Sequence, residues 1–271
     1  MAAERRFAST VAHYLPGRPP YAPALIARVA QLCSLTGRHR ILDLGCGPGQ
    51  LAIAFAPYAG SVVAIDPEPE MLRAASALAC ECASRIEFRE ASSEELGPAF
   101  GTFQMVVVGQ AFHWMDRAET LRRLDDMIER DGAVVLFGDE HLEVPDNRWQ
   151  GEYRALLDVY AQADADCERR SVAGHFTHEA VLLDSAFHQL ERIGIVERRR
   201  IPVERLVDRA LSMSRTSPAR LGLRVDELAA RVRELALRYA DGDLVTEVVE
   251  STALIAKRSP TQIPLEPSPK S

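Results

Sequence analysis

The stretch Ile41-Leu42-Asp43-Leu44-Gly45-Cys46-Gly47-Pro48-Gly49-Gln50 decides the fold. A short apolar run ends in a turn with three glycines, and a helical pattern follows to about residue 56. Glycines in such a turn let a ligand approach the backbone. The helix N-terminus behind them presents unpaired N–H groups and a partial positive charge. In a parallel sheet this places a ligand at the carboxyl edge of the strands. The next apolar run, Ser61-Val62-Val63-Ala64-Ile65-Asp66, is β-branched and bounded by Gly60 and Pro67, as a buried strand is. Its terminal Asp66 falls about 20 residues beyond the first turn, where an acid can accept two hydrogen bonds from ribose hydroxyls. Each feature has a plainer explanation alone. Gly-rich strand–helix turns occur without nucleotides, and an Asp before proline can be only a turn former. Together they point to a bound nucleoside.

Outward from this turn, strands and helices alternate. Helices are predicted over about 22–34, 49–56 and 70–82, and another starts near Asp116, a good N-cap. Further strands are predicted over 85–89, 103–108 and 132–137. Continuous apolar strands alternating with helices imply an α/β, doubly wound, mostly parallel sheet. Residues 140–190 read as a mostly helical cap inserted over the sheet's C-terminal edge. Two more strands, 187–202 and 244–257, flank helices near 206–214 and 225–239. Residues 1–22 form an arm in which Pro16, Pro19 and Pro20 forbid a continuous helix. The sheet domain, cap included, would run over 23–258, and the Pro-rich, polar 259–271 reads as a disordered tail.

Composition narrows the class. The chain has 271 residues, 47% hydrophobic, enough for one large domain with a sizeable core. A net charge of -7 with scattered Lys and Arg lacks the basic footprint of nucleic-acid binding. No apolar stretch approaches the roughly 20 residues that span a bilayer, and the two arginines near the N-terminus precede no apolar signal region. Five irregularly spaced cysteines suit reduced thiols, so a cytoplasmic location is expected. Cys80 and Cys82 lie in a helical pattern that points them to different sides. His175 and His178 have a metal-pair spacing but no third ligand in view. No metal is expected.

The spacing of the turn separates two ligand chemistries. The dinucleotide fingerprint is G-x-G-x-x-G. Here it is G-x-G-x-G, with Asp43 two residues ahead. A pyrophosphate would meet that carboxylate unfavourably. S-adenosylmethionine instead brings an ammonium that Asp43 can favour and a carboxylate that suits the turn backbone. A nucleotide-dependent reductase on the same sheet is the disfavoured alternative.

With Val63-Ala64-Ile65-Asp66-Pro67, Met71-Leu72 and Val108-Gly109-Gln110-Ala111-Phe112-His113-Trp114, the chain resembles class I S-adenosylmethionine-dependent methyltransferases over roughly residues 7–258. The Arg18-Pro19-Pro20-Tyr21 arm and the His113-Trp114 pair make it similar to the trans-aconitate, malonyl-carrier and juvenile-hormone-acid methyltransferase group. The resemblance implies a seven-stranded sheet whose last strand inserts antiparallel beside the fifth. It implies that Gly45, Gly47 and Gly49 hold the methionine end of the donor beside Asp43, that Asp66 takes the ribose, and that Pro67 and Met71 pack on the adenine. Ser92 and Ser93 would touch the adenine amino group, although the family often has an Asp at Ser92. Gln110 would lie near the methionine moiety. Tyr14 and Arg18 would fold over the site as part of a lid, and with Tyr21 they are candidate residues of the substrate pocket.

Methyl transfer from a sulfonium is an in-line displacement in which alignment supplies much of the rate. A base is needed only for an acceptor that starts protonated; a carboxylate is already ionised. His113, after the fourth strand, is the candidate base, or a residue that shapes the pocket. Trp114 is either near the acceptor or a core cover for the sheet edge. Trp149, Tyr153, His175 and Phe176 are candidate pocket residues from the cap, and Arg198-Arg199-Arg200 reads as a solvated charge run. The implied activity is methylation of a small molecule, most readily on oxygen. N- or C-methylation and a non-catalytic donor-binding module are the alternatives.

Overall fold

Period-two alternation in the apolar runs builds the sheet and assigns its two faces. A computed structural model describes residues 8–79, 85–161 and 177–259. The strands are β1 (Arg40–Leu44), β2 (Ser61–Asp66), β3 (Ile86–Glu90), β4 (Phe103–Gly109), β5 (Ile128–His141), β6 (Gln189–Pro202) and β7 (Leu244–Lys257). They form one seven-stranded sheet in the order β3-β2-β1-β4-β5-β7-β6. Neighbours from β3 to β5 pair in parallel, and β7 runs antiparallel to both β5 and β6. The doubly wound sheet with one antiparallel strand is therefore present.

The helices are α1 (Val11–Gly17), α2 (Pro23–Leu32), α3 (Gln50–Phe55), α4 (Pro69–Ala79), α5 (Arg117–Asp125), α6 (Trp149–Tyr160), α7 (His178–Leu183), α8 (Val203–Leu211), α9 (Pro218–Leu221) and α10 (Val225–Leu237). On one face, Ile41, Val62, Ala64, Met105, Val107 and Val135 pack under α2 and α3. The residues between them, Leu42, Val63, Ile65, Val106, Val108 and Val134, pack under α5 and α7 on the other. Each such side chain contributes roughly 1.5–3 kcal/mol by leaving water. A third apolar cluster joins Trp149, Tyr153 and Leu157 of α6 to Leu206 of α8 and Leu228 and Val232 of α10. Helices that precede and follow β6 in the chain thus share one apolar core.

Two elements differ from the sequence reading. The arm contains a helix, α1, with Pro16 inside it. The helix ends one residue later, so the missing proline N–H removes little, and the Arg18 N–H closes the turn on the Tyr14 carbonyl at 2.9 Å. Strand β5 runs on past Phe137 to His141, because β7 pairs with it residue by residue, Gly138 with Thr252 through His141 with Val249. No helix among the described residues is long and apolar enough to cross a membrane.

Candidate functional site

The β1–α3 turn is tied to the end of β2. The N–H groups of Gly45 and Cys46 both reach the Ile65 carbonyl at 2.9 Å, and the Gly47 N–H reaches Asp66 Oδ2 at 2.8 Å. Gly45, Gly47 and Gly49 have φ of 70°, 51° and 80°, all left-handed. At Gly45 the constraint is double, since a Cβ there would lie 2.6 Å from the Ala111 Cβ. At Gly47 the corresponding space is open. The turn therefore presents bare backbone to a ligand at the sheet edge.

Asp43 shares the α2/α3 face with Ile41, a position otherwise filled by apolar residues. It is buried, its Oδ2 accepts the Ala52 N–H of α3 at 2.8 Å, and its Oδ1 has no hydrogen-bond partner. Burial raises it from 3.8 to about 7, against the opposing Ala52 hydrogen bond. A buried acceptor without a partner is rare and calls for an explanation. Asp66 takes Gly47 N–H on one oxygen and the Glu68 N–H, at 2.9 Å, on the other. Burial pushes Asp66 up, and these two bonds oppose the shift. Each oxygen keeps a further lone pair for a ligand. Glu68, which the sequence does not mark, is also buried with Oε1 unpartnered.

Around this turn, Pro67 is exposed while Met71 is buried in α4. The Ser92 N–H donates to Glu95 Oε2 at 2.7 Å, and Ser93 is buried. Gln110, just past β4, has φ 58°, an uncommon backbone for a residue with a side chain and a pointer to function. Its Oε1 accepts from Arg18 Nη1 at 2.6 Å. Arg18 Nε also donates to Ser212 Oγ at 3.2 Å, and its guanidinium lies 5.2 Å from the Tyr14 ring centre. Gln50, at the start of α3, donates to the Arg18 carbonyl at 3.0 Å. The arm is thereby fastened to the carboxyl edge of the sheet, at Gln110 past β4 and Gln50 at the start of α3. Tyr21 packs edge-on against Phe137 at 5.3 Å, and burial pushes its phenol well up.

Two cavities follow. The smaller, about 160 Å³, is bounded by Tyr14, Arg18, Tyr21, Gln50 and Gln110 and by the extended ends of β5, β6 and β7. The larger, about 400 Å³, is bounded chiefly by Trp149, Tyr153, Leu157 and Met213. His141, Arg209 and Met213 line both. Trp149 Nε1 and Tyr153 Oη are engaged with the carbonyls of Thr246 and Leu206, at 2.9 and 2.8 Å, so these rings present their apolar bodies. His113 is exposed beside Trp114, ring centres 4.7 Å apart, and neither residue is among those bounding the two cavities. His175, Phe176 and the Cys80–Cys82 pair lie outside the described residues.

The sequence reading missed the polar end of the β5–β7–β6 ladder. Asp139 and His141 on β5, Glu247 and Ser251 on β7 and Arg199 on β6 continue the α2/α3 face past its apolar part. Asp139 pairs in register with Ser251, and Arg199 with Glu247. Glu247 is 1% exposed and is held by Arg209 at 2.8 and 3.2 Å and by His141 Nε2 at 3.2 Å. Burial would raise it, but the His141 and Arg209 hydrogen bonds and the Arg209 charge hold it down at about 2. The arginine run divides by strand period. Arg198 and Arg200 pair with Asp146 and Asp241 outside, while Arg199 turns to the smaller cavity, bound to Glu197. Period-two charges beyond residue 137 were the available signal.

The fold and the turn define a doubly wound domain with bare left-handed backbone and a buried, unpartnered carboxylate oxygen at its carboxyl edge. Comparison with known proteins gives the class: residues 41–132 match the sequence profile of a methyltransferase domain. An uncharacterized methyltransferase of Mycobacterium tuberculosis is 31% identical over 130 residues, 48% of this chain and 50% of that protein. A ubiquinone biosynthesis O-methyltransferase of Azorhizobium caulinodans is 33% identical over 98 residues, 36% of this chain and 39% of that protein. The chain thus spans half or less of the length of these relatives. A methyltransferase from Thiobacillus denitrificans, solved with S-adenosyl-L-homocysteine, shares the fold with a TM-score of 0.54 at 16% identity, covering 96% of this chain and 100% of that one. Residues 41–132 are thus similar to a methyltransferase domain, on a fold shared with a solved methyltransferase.

Proposed function

We propose that the protein transfers a methyl group from S-adenosylmethionine to an oxygen of a small-molecule acceptor in the cytoplasm. The observation that carries this is Asp43. A buried carboxylate with one oxygen unpartnered, under a turn of bare left-handed backbone, complements an ammonium beside a carboxylate. In this assignment Gly45, Gly47 and Gly49 cradle the methionine end, Asp66 takes the ribose, and Pro67, Met71, Ser92 and Ser93 border the adenine. Gln110 and the arm residues Tyr14, Arg18 and Tyr21 close over the methionine moiety. The bound donor supplies an electrophilic methyl on a sulfonium; the chain's own residues orient it and exclude water. The acceptor occupies the two cavities, against Trp149 and Tyr153. The likeness to an O-methyltransferase supports oxygen as the methylated atom. Within that class, the arm motif and His113-Trp114 support the trans-aconitate-like group.

Calorimetry with S-adenosylhomocysteine and with NADH tests the donor assignment, and methyl transfer from labelled S-adenosylmethionine to a panel of phenols and carboxylic acids tests the acceptor class. Tight binding of S-adenosylhomocysteine and an O-methyl product are expected. Tight binding of NADH without S-adenosylhomocysteine binding would overturn the assignment.

A further inference from the structure

We propose that His141, held by Glu247, is the general base for the acceptor, and that the acceptor is a phenol-type hydroxyl on an apolar body. The inference rests on the methyl-transfer reading above and goes beyond it to a residue and a substrate class. Three geometric facts converge on His141. It lies where the two cavities meet, lining both. Its Nε2 is 3.2 Å from Glu247 Oε2, which also accepts from Arg209 Nη1 at 2.8 Å, while Arg209 Nη2 donates to Oε1 at 3.2 Å. Its ring sits edge-on to Trp149, centres 6.4 Å apart, and both line the larger cavity.

A carboxylate only accepts hydrogen bonds, so the Glu247 contact places the imidazole proton on Nε2 and leaves Nδ1 as an acceptor. A base oriented by a buried acid is the arrangement that proton abstraction needs. The charged groups facing it come from every neighbouring element. They are Glu247 from β7, Arg209 from α8, Asp139 from β5, Arg199 from β6 and Arg18 from the arm around the smaller cavity, and Arg154 and Asp158 from α6 with Arg215 beyond α8 around the larger, where Arg215 pairs with Asp158. Arg209 and Arg199 are matched by Glu247 and Glu197. Among the described residues, the Arg18 side chain hydrogen-bonds the neutral Gln110 and Ser212 side chains and pairs with no carboxylate, so its charge is available to an anion forming in the smaller cavity.

The acceptor's O–H bond breaks, its proton passes to His141 Nδ1, and the oxygen keeps the electron pair. That oxygen then forms the new bond to the methyl carbon, while the C–S pair of the donor stays on sulfur. The positive charge lost from the sulfonium thus reappears as imidazolium, stabilised by Glu247. The His141 side chain is 23% exposed, so the proton then leaves to water. Trp149, Tyr153 and Leu157 accommodate the acceptor's apolar body.

The probe is 4-nitrophenol, whose phenolate absorbs in the visible. It is titrated between pH 5 and 8 with the protein saturated by S-adenosylhomocysteine. Calorimetry of S-adenosylhomocysteine alone reports on the donor site, so failure there is distinguished from failure here. Bound nitrophenol is expected to ionise at least one pH unit below the free phenol. His141→Gln should lose that shift, at least tenfold in ionisation constant, with S-adenosylhomocysteine affinity retained; His141→Asn provides a second variant should the first fail to fold. With any nitrophenol turned over, kcat should fall about 100-fold in His141→Gln, within the range for general-base loss, with KM nearly constant. Long-range ¹H–¹⁵N spectra should place the neutral imidazole proton on Nε2. Absence of a bound phenolate band, a proton on Nδ1, or loss of the shift in His113→Gln with retention in His141→Gln overturns the assignment.

Discussion

Asp43→Asn separates the demands of folding from those of donor binding. In the folded protein burial raises Asp43 from 3.8 to about 7. The folded state therefore binds this proton more tightly than the unfolded chain does. Stability from this group is highest below pH 3.8, falls as pH rises towards 7, and levels off above. At about 1.4 kcal/mol per pH unit, ionised Asp43 costs the ligand-free fold about 4 kcal/mol at pH 8. The asparagine oxygen can still accept the Ala52 N–H, and its amide hydrogens replace the unpartnered Oδ1 at a cost of about 1–3 kcal/mol. The ligand-free variant is thus expected to be the more stable protein at pH 8, by about 1–3 kcal/mol. The advantage should shrink by about 3 kcal/mol between pH 8 and pH 5, where wild-type Asp43 is protonated. Urea unfolding at pH 5, 6, 7 and 8 measures this difference directly. Donor affinity should move the other way: S-adenosylhomocysteine binding at pH 8 should weaken about 10- to 100-fold, as for a lost charge-assisted hydrogen bond. A pH-independent stability gap, or a variant that binds the ligand as tightly as wild type, would refute the reasoning.

Gly45→Ala forces a left-handed backbone and a clash with Ala111 on the donor turn. It should lower stability by about 1–3 kcal/mol in urea and weaken S-adenosylhomocysteine binding in calorimetry. Glu247→Gln removes a carboxylate held at about 2, below its usual 4.5, so its contribution is complete above pH 4.5 and vanishes as pH falls through about 2. Breaking this buried pair should lower stability by about 3–5 kcal/mol at pH 7. The difference should narrow in unfolding curves taken at pH 3.

The inner strands were legible because they are buried on both faces, as β1, β2 and β4 are. Ser61–Asp66 and Leu244–Lys257 match the sequence expectation at both ends, and Phe103–Gly109 differs by one residue. Local turn chemistry also sufficed where a side chain acts within three residues, as at Asp116, which accepts the Glu119 N–H at 3.1 Å. The β1–α3 turn announced itself because only glycine takes three such backbone angles in five residues without strain. What the sequence concealed depends on partners far along the chain. β5 continues to His141 only because β7 pairs with it, more than 100 residues later. Once that ladder is formed, polar residues that look like a loop become one face of a strand. Asp43 was legible as an acid near the turn, but its place under α3 depends on the packing of that helix. His113 stood out because it follows the fourth strand. His141 did not, because its partners Glu247 and Arg209 come from elements assembled only in three dimensions.

The arm's attachment constrains how this site can exchange its ligands. At Gly17 a Cβ would stand 2.4 Å from the Arg209 nitrogen, so α1 and α8 touch backbone to backbone. His13 is 2.8 Å from Asp208, Arg209 Nε reaches the Gly17 carbonyl at 3.3 Å, and Arg18 reaches Ser212. A displacement of the arm must therefore either rupture all of these or drag α8 along. If α8 moves, Arg209 leaves Glu247, and the wall common to both chambers comes apart. If donor and acceptor sit in these chambers as proposed, they share a single latch: moving this arm to release one loosens the wall around the other.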